Sequence, residues 1–248
     1  MTLAAEFDDA RLLTVYDAEN EWGPDDTWFL DRVGALRADA VADLGCGTGR
    51  LTVRLPPVAS RVVGVDPSAR AIARARLRPG AGSVEWRMGD AQRLDEGAFD
   101  VVLLTSHVTQ FVVLDTDWSR TLAAVRRALR PGGHVLLDSR NPAGRAWERW
   151  DGVVRTVAVG PGDDCVVMTR VLAVRGETDP VVDFERHYRF TDGHRVRSSG
   201  SLIFRRLCTL ESDLSRQGLE LSAAYGGWSQ EPPDDNHAEL VLVATRPG

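Results

Sequence analysis

Apolar residues fall into two rhythms along this chain of 248 residues. Short, mostly apolar runs at 40–44, 61–66 and 99–104 read as strands, the last apolar enough to be buried on both faces. Between and around them, apolar residues recur at helical spacing. Trp28, Phe29, Val33 and Leu36 follow an expected first turn of Pro24-Asp25-Asp26. Ala71, Ile72, Ala75 and Leu77 follow Pro67-Ser68, and Leu122, Val125, Ala128 and Leu129 follow Asp115-Thr116-Asp117. A short strand at 84–87 and another at 134–138, after Pro131-Gly132-Gly133, continue the alternation. Strands alternating with helices predict an α/β fold built on a parallel sheet.

The pattern changes after residue 150. Runs at 153–159, 165–174, 181–190 and 195–204 are β-rich, and turns such as Gly160-Pro161-Gly162-Asp163 and Thr191-Asp192-Gly193 separate them. Short turns between neighbouring strands predict antiparallel pairing. A helix at 209–218 and strands at 219–225 and 239–245 then close the chain. The expected organisation is a helical lid over 1–38, a core over 39–150, an antiparallel β insertion over 151–207 and a return to the core over 208–248.

One stretch carries the strongest chemical signal, Val41-Ala42-Asp43-Leu44-Gly45-Cys46-Gly47-Thr48-Gly49-Arg50. It reads as strand, tight turn, then a helix over 51–55. Its glycines let a ligand approach the main chain, and amides at the start of the next element face the crevice. The spacing is G-x-G-x-G, not the G-x-G-x-x-G of dinucleotide folds, and a phosphate-cradling G-K-[ST] is impossible in a chain without lysine. Asp43 would repel a pyrophosphate but can accept from a cationic ligand. Asp66, about 20 residues further on at a strand end, stands where a ribose-binding acid is expected.

Composition narrows the choice. A net charge of −6 offers no basic footprint for nucleic acid. No apolar run approaches a membrane span, and Met1 to Asp9 has no signal-peptide pattern, so the expected compartment is the cytoplasm. Cys46, Cys165 and Cys208 are scattered and form no C-x-x-C, and no spacing of acids and histidines indicates a metal site.

The glycine stretch resembles motif I of the class I S-adenosylmethionine-dependent methyltransferases. The run from Ala128 to Leu137, A-L-R-P-G-G-H-V-L-L, resembles their usual helix–turn–strand, and the similarity spans roughly residues 10 to 140. The resemblance implies a doubly wound, mostly parallel seven-stranded sheet of the Rossmann-like methyltransferase type, the β insertion preceding its last two strands. Some small-molecule methyltransferases are similar in carrying a sheet at that point, as a substrate cover or a subunit contact, which makes a homodimer through the insertion possible. The implied cofactor is S-adenosylmethionine, held by Tyr16, Asp43, Gly45, Cys46, Gly47, Asp66, Pro67 and Thr105, with Asp90 and Ala91 at the adenine.

Loops at the carboxyl ends of parallel strands bind ligands in such folds. His107 is therefore the expected catalytic base, and Gln110, Arg140, Asn141 and Trp228 the expected contacts to a small-molecule acceptor at O or N. Two other readings share the motif: a cofactor-binding accessory subunit without methyl transfer, and a dinucleotide oxidoreductase.

Overall fold

The computed structural model describes residues 5–248; residues 1–4 of the expected lid lie outside the described residues. The chain opens with α1 (Ala5–Asp8), α2 (Ala10–Glu19) and α3 (Pro24–Ala35), then β1 (Ala40–Leu44), β2 (Arg61–Asp66), α4 (Ala69–Ala75), β3 (Glu85–Met88) and β4 (Phe99–Leu104). A single turn, α5 (Val108–Phe111), precedes α6 (Asp115–Ala128) and the long β5 (Leu129–Arg140). Four strands follow, β6 (Val154–Gly160), β7 (Asp163–Arg175), β8 (Val181–Phe190) and β9 (Arg195–Ile203). The chain ends with α7 (Leu207–Arg216), β10 (Glu220–Tyr225) and β11 (Glu239–Thr245).

Seven strands form the main sheet in the order β10-β11-β5-β4-β1-β2-β3. β1 pairs in parallel with β2 and β4, β4 with β5, and β2 with β3, while β11 runs antiparallel between β5 and β10. Period-two alternation sends neighbouring side chains to opposite faces. Ala40, Ala42 and Leu44 pack with Trp118, Leu122, Val125, Leu210 and Leu214 of α6 and α7. Val41 packs on the other face, with Trp28, Phe29 and Val33 of α3. Both faces are thus covered, as mostly apolar parallel strands require.

The insertion forms a separate antiparallel sheet, β6-β7-β8-β9. On its inner face Cys165, Val167, Tyr188 and Phe190 pack against Leu12 and Val15 of α2. The expected lid therefore divides in its packing: α2 lies on the second sheet and α3 on the main one. Asp26 holds the start of α3 by accepting from the Gly23 N–H at 2.9 Å.

One predicted helix is corrected. Residues 51–55 do not form an α-helix; only Thr52–Arg54 make a single 3-10 turn. Pro56 and Pro57 follow at once, and proline lacks the N–H a helix needs and disfavours helical backbone in the residue before it.

Candidate active site

The carboxyl ends of β1, β2, β4 and β5 open into a cavity of about 660 Å³, closed on its far side by the second sheet. The glycine turn forms one wall. Gly45 has φ +78°, and a Cβ there would stand 2.4 Å from Val108 Cγ2, so this turn and the start of α5 can touch only through glycine. Gly47 has φ +52°, and its N–H donates to Asp66 Oδ2 at 2.8 Å. The other Asp66 oxygen accepts from the Ser68 N–H at 2.8 Å. Two main-chain donors thus fix the carboxylate in the cavity wall, and each oxygen keeps acceptor capacity for a ligand hydroxyl.

Asp43 lies beneath the same wall. Its Oδ2 accepts from the Thr52 hydroxyl at 2.6 Å, while Oδ1 is buried with no hydrogen-bond partner. Burial, reinforced by Asp66, pushes its pKa up to about 6. Cys46 also lines the cavity, and burial holds its thiol well above the usual range. Pro67 and Thr105 complete this end. A buried acceptor without a donor and a pinned carboxylate beside an open turn are the complement of a ribose and a cationic amino-acid moiety, so these residues fit S-adenosylmethionine.

Tyr16 of α2 faces the cavity from the lid side, and burial pushes its hydroxyl up to about 12. Its ring stands edge-on to Phe7, which stands edge-on to Phe111. Asp17, the next residue, ties the lid to the glycine turn: it accepts from the Thr48 hydroxyl at 2.5 Å and pairs with Arg78 and Arg74. A second tie joins lid and insertion. Glu6 accepts from the Tyr188 hydroxyl at 3.0 Å and pairs with Arg186, which also pairs with Glu19.

His107 sits in the loop after β4. It and Ser106 both have left-handed backbones, φ 62° and 55°, uncommon for residues with a Cβ. The Asp138 carboxylate holds that turn by accepting from the His107 N–H at 3.0 Å. The ring Nε2 lies 2.8 Å from Glu239 Oε2 and 3.4 Å from Asp138 Oδ2. A carboxylate only accepts, so Nε2 donates to Glu239 and Nδ1 is the nitrogen left with a lone pair. Burial, with Glu239 adding to it, pushes Asp138 up to about 6, and its Oδ1 has no partner. His107, Asp138 and Glu239 also place ligand-type atoms within 4.8 Å of one another, a cluster that spacing along the sequence did not reveal.

Of the residues expected from sequence, the cavity wall contains Tyr16, Asp43, Gly45, Cys46, Gly47, Asp66, Pro67, Thr105, His107 and Arg140. The other five are placed elsewhere. Asp90 accepts from the Gln92 N–H at 2.9 Å as a cap, and Ala91 is buried in the core under α6. Gln110 is buried, its amide donating to the Ile203 carbonyl at 3.2 Å and its oxygen accepting from Arg140 at 2.9 Å. Asn141 ties down the 226–237 loop by donating to the Asp234 carbonyl at 2.9 Å. Trp228 packs on Trp28 and Phe29, at ring separations of 6.2 and 5.7 Å, on the main sheet's other face.

Sequence reasoning missed Glu239, Asp138, Glu6, Arg186 and Arg205. Arg205 is buried just beyond β9 and donates to the carbonyls of Thr109 and Val112 at 3.2 and 2.9 Å, fixing the segment that follows His107. An arginine inside an apolar run was the one available signal.

Comparison with known proteins agrees with this geometry. Residues 41–133 match the model of a methyltransferase domain. The chain is 29% identical over 217 residues to a cypemycin N-terminal methyltransferase from a Streptomyces species, covering 85% of this chain and 84% of that one. It spans between 32% and 56% of the length of the next curated relatives it matches, ubiquinone biosynthesis O-methyltransferases among them. A solved S-adenosylmethionine-dependent methyltransferase from Clostridium acetobutylicum superposes with a TM-score of 0.76 at 16% identity, over 94% of this chain and 95% of that one. A sugar N-methyltransferase from a Streptoalloteichus species gives 0.73 at 21% identity, over 93% and 90%. With its glycine turn, pinned Asp66 and seven-stranded sheet, the chain has the fold of S-adenosylmethionine-dependent methyltransferases, and its residues 41–133 match a methyltransferase domain.

Proposed function

We propose that this enzyme methylates a nitrogen or oxygen of a small-molecule acceptor held between the main sheet and the insertion, with His107 taking the acceptor's proton. The observation that carries the reading is that one cavity is lined both by Asp66 with the glycine turn and by His107 with the second sheet. Cofactor and acceptor can therefore meet without crossing solvent.

S-adenosylmethionine, when bound, supplies a methyl group already activated on a sulfonium. What remains for the chain is to position, to exclude water and to move one proton. Asp66 would accept from the ribose hydroxyls, and Asp43 Oδ1 from the cationic end of the cofactor. Tyr16, Cys46, Pro67 and Thr105 would shape the walls around it. His107 Nδ1 receives the acceptor's proton, while Glu239 fixes the tautomer and Asp138 fixes the loop. Nitrogen is the favoured acceptor atom, because a cypemycin N-terminal methyltransferase and a sugar N-methyltransferase are both among the similar proteins. The lone pair of an amine appears once its proton has left, and that is the step a positioned imidazole can perform.

We further read the enzyme as cytoplasmic; among the described residues no helix is long and apolar enough to cross a membrane. A homodimer through the insertion would bury the outer face of the second sheet, where Val154, Leu172 and Val174 are exposed. Sedimentation equilibrium tests that contact. Methyl transfer itself is tested by following S-adenosylhomocysteine release with primary amines, amino sugars, short peptides and phenols. Release that depends on an amine or hydroxyl supports the reading. Cofactor binding without release across the panel would indicate an accessory subunit.

A further inference from the structure

Arg140 is the last residue of β5, and its direct partner across the strand pair is Glu239. Opposite charges facing each other on neighbouring strands ordinarily pair. Here they do not. Glu239 turns to His107, and Arg140 gives one N–H to the neutral Gln110 and lies 5.3 Å from the Trp150 ring centroid. Asp138, the other acid whose field reaches it, holds the His107 main chain. No described carboxylate forms an ion pair with Arg140, and burial pulls its pKa down. A mostly buried guanidinium with unused donors on a cavity wall is costly unless an anion completes it.

Arg155 on β6 borders the same cavity from an exposed position and makes no ion pair among the described residues. The other two cavity arginines are occupied: Arg50 by Asp25 and Asp26, and Arg186 by Glu6 and Glu19. Carboxylates of Asp43 and Asp66 stand by the glycine turn, and Arg140 and Arg155 are the two cavity arginines without an ion pair among the described residues.

We propose that the acceptor carries an anionic group, a carboxylate or a phosphate, that binds Arg140 and is supported by Arg155. This rests on the reading of the cavity as a methyl-transfer site and names the charge of its acceptor. Arg140 is then a specificity residue: Gln110 aims the guanidinium, and the bound anion places the nucleophile toward His107.

The test is titration of the full chain, saturated with S-adenosylhomocysteine, with inorganic phosphate and separately with acetate, at constant ionic strength. Binding is read by calorimetry, in wild type and in Arg140→Gln and Arg155→Gln. At least one anion is expected to bind the wild type, at least tenfold more weakly to Arg140→Gln and less weakly to Arg155→Gln. Phosphate alone marks a phosphorylated acceptor, and acetate alone a carboxylate. Equal binding to wild type and to both variants, or no binding of either anion to wild type, overturns the proposal. Affinity for S-adenosylhomocysteine, measured first in each protein, shows that a variant is folded; its absence in wild type would reject the methyl-transfer reading instead.

Discussion

The imidazole Nε2 of His107 lies 2.8 Å from a carboxylate oxygen of Glu239, a residue 132 positions later in the chain. β11 runs antiparallel to β5, so its first residue meets the carboxyl end of β5 and the adjoining loop after β4. His107 and the carboxylate facing it thus come from distant parts of the sequence but the same end of the sheet.

That pairing sets the first expectation. His107→Ala should lower kcat by roughly 10²- to 10⁴-fold, the usual worth of a positioned proton acceptor, while leaving cofactor affinity unchanged. Glu239→Gln still accepts the imidazole N–H and should keep more activity than Glu239→Ala. Steady-state kinetics with calorimetry of cofactor binding check this, and equal activity in the two Glu239 variants would remove the orienting role.

Because His107, Asp138 and Glu239 are also arranged as a set of metal ligands, metal removal separates two chemistries. A histidine acting through proton transfer should work as well after exhaustive chelation as before. Loss of turnover on chelation, restored by one divalent cation, would make the cluster a metal site.

Asp43 gives a dependence on pH. Its folded pKa of about 6 stands above the ordinary 3.8. The folded state therefore holds this proton more tightly than the unfolded chain, and burial of the ionised form costs stability that vanishes as pH falls through that window. Asp43→Asn removes the charge and should be more stable than wild type at pH 8, by roughly 2–3 kcal/mol for a shift of about two units. The advantage should shrink toward pH 4. Urea denaturation of both proteins across this range checks it, and an advantage independent of pH would contradict it.

The tie between lid and insertion should behave as a unit. Arg186 is the common partner of Glu6 and Glu19, so Arg186→Met strands two shielded carboxylates and should cost roughly 3 kcal/mol, as breaking a buried ion pair does. The triple change Glu6→Gln, Glu19→Gln, Arg186→Met should recover part of that loss. Additive losses in thermal unfolding would show that the three residues are not coupled.

Local pattern carried much of the fold. Phe99–Leu104 and Val181–Phe190 are strands with the boundaries read from sequence, because apolar runs between turn residues determine both ends. Asp66 was legible because its distance from the glycine turn is imposed by the crossover from β1 to the parallel β2. Glu239 was not: a glutamate opening an apolar strand reads as solvated, and only the antiparallel insertion of β11 brings it to His107. Asn141, Gln110 and Trp228, expected as acceptor contacts, do not line the cavity, for the opposite reason. Each sits in a ligand-facing stretch of sequence, yet main-chain bonds or ring packing had already taken its side chain. Side chains able to bind a ligand are equally able to fix a loop, and tertiary packing decides between the two.

The carboxylate of Asp66 is expected to be offered to the cofactor's ribose. Calorimetry of S-adenosylmethionine binding to wild type and to Asp66→Ala measures this directly. Loss of a hydrogen bond to a charged acceptor is worth roughly 1.5–3 kcal/mol, so affinity should fall by about ten- to a hundredfold in a variant whose circular dichroism is unchanged. Undiminished affinity in Asp66→Ala would mean that the cofactor lies elsewhere.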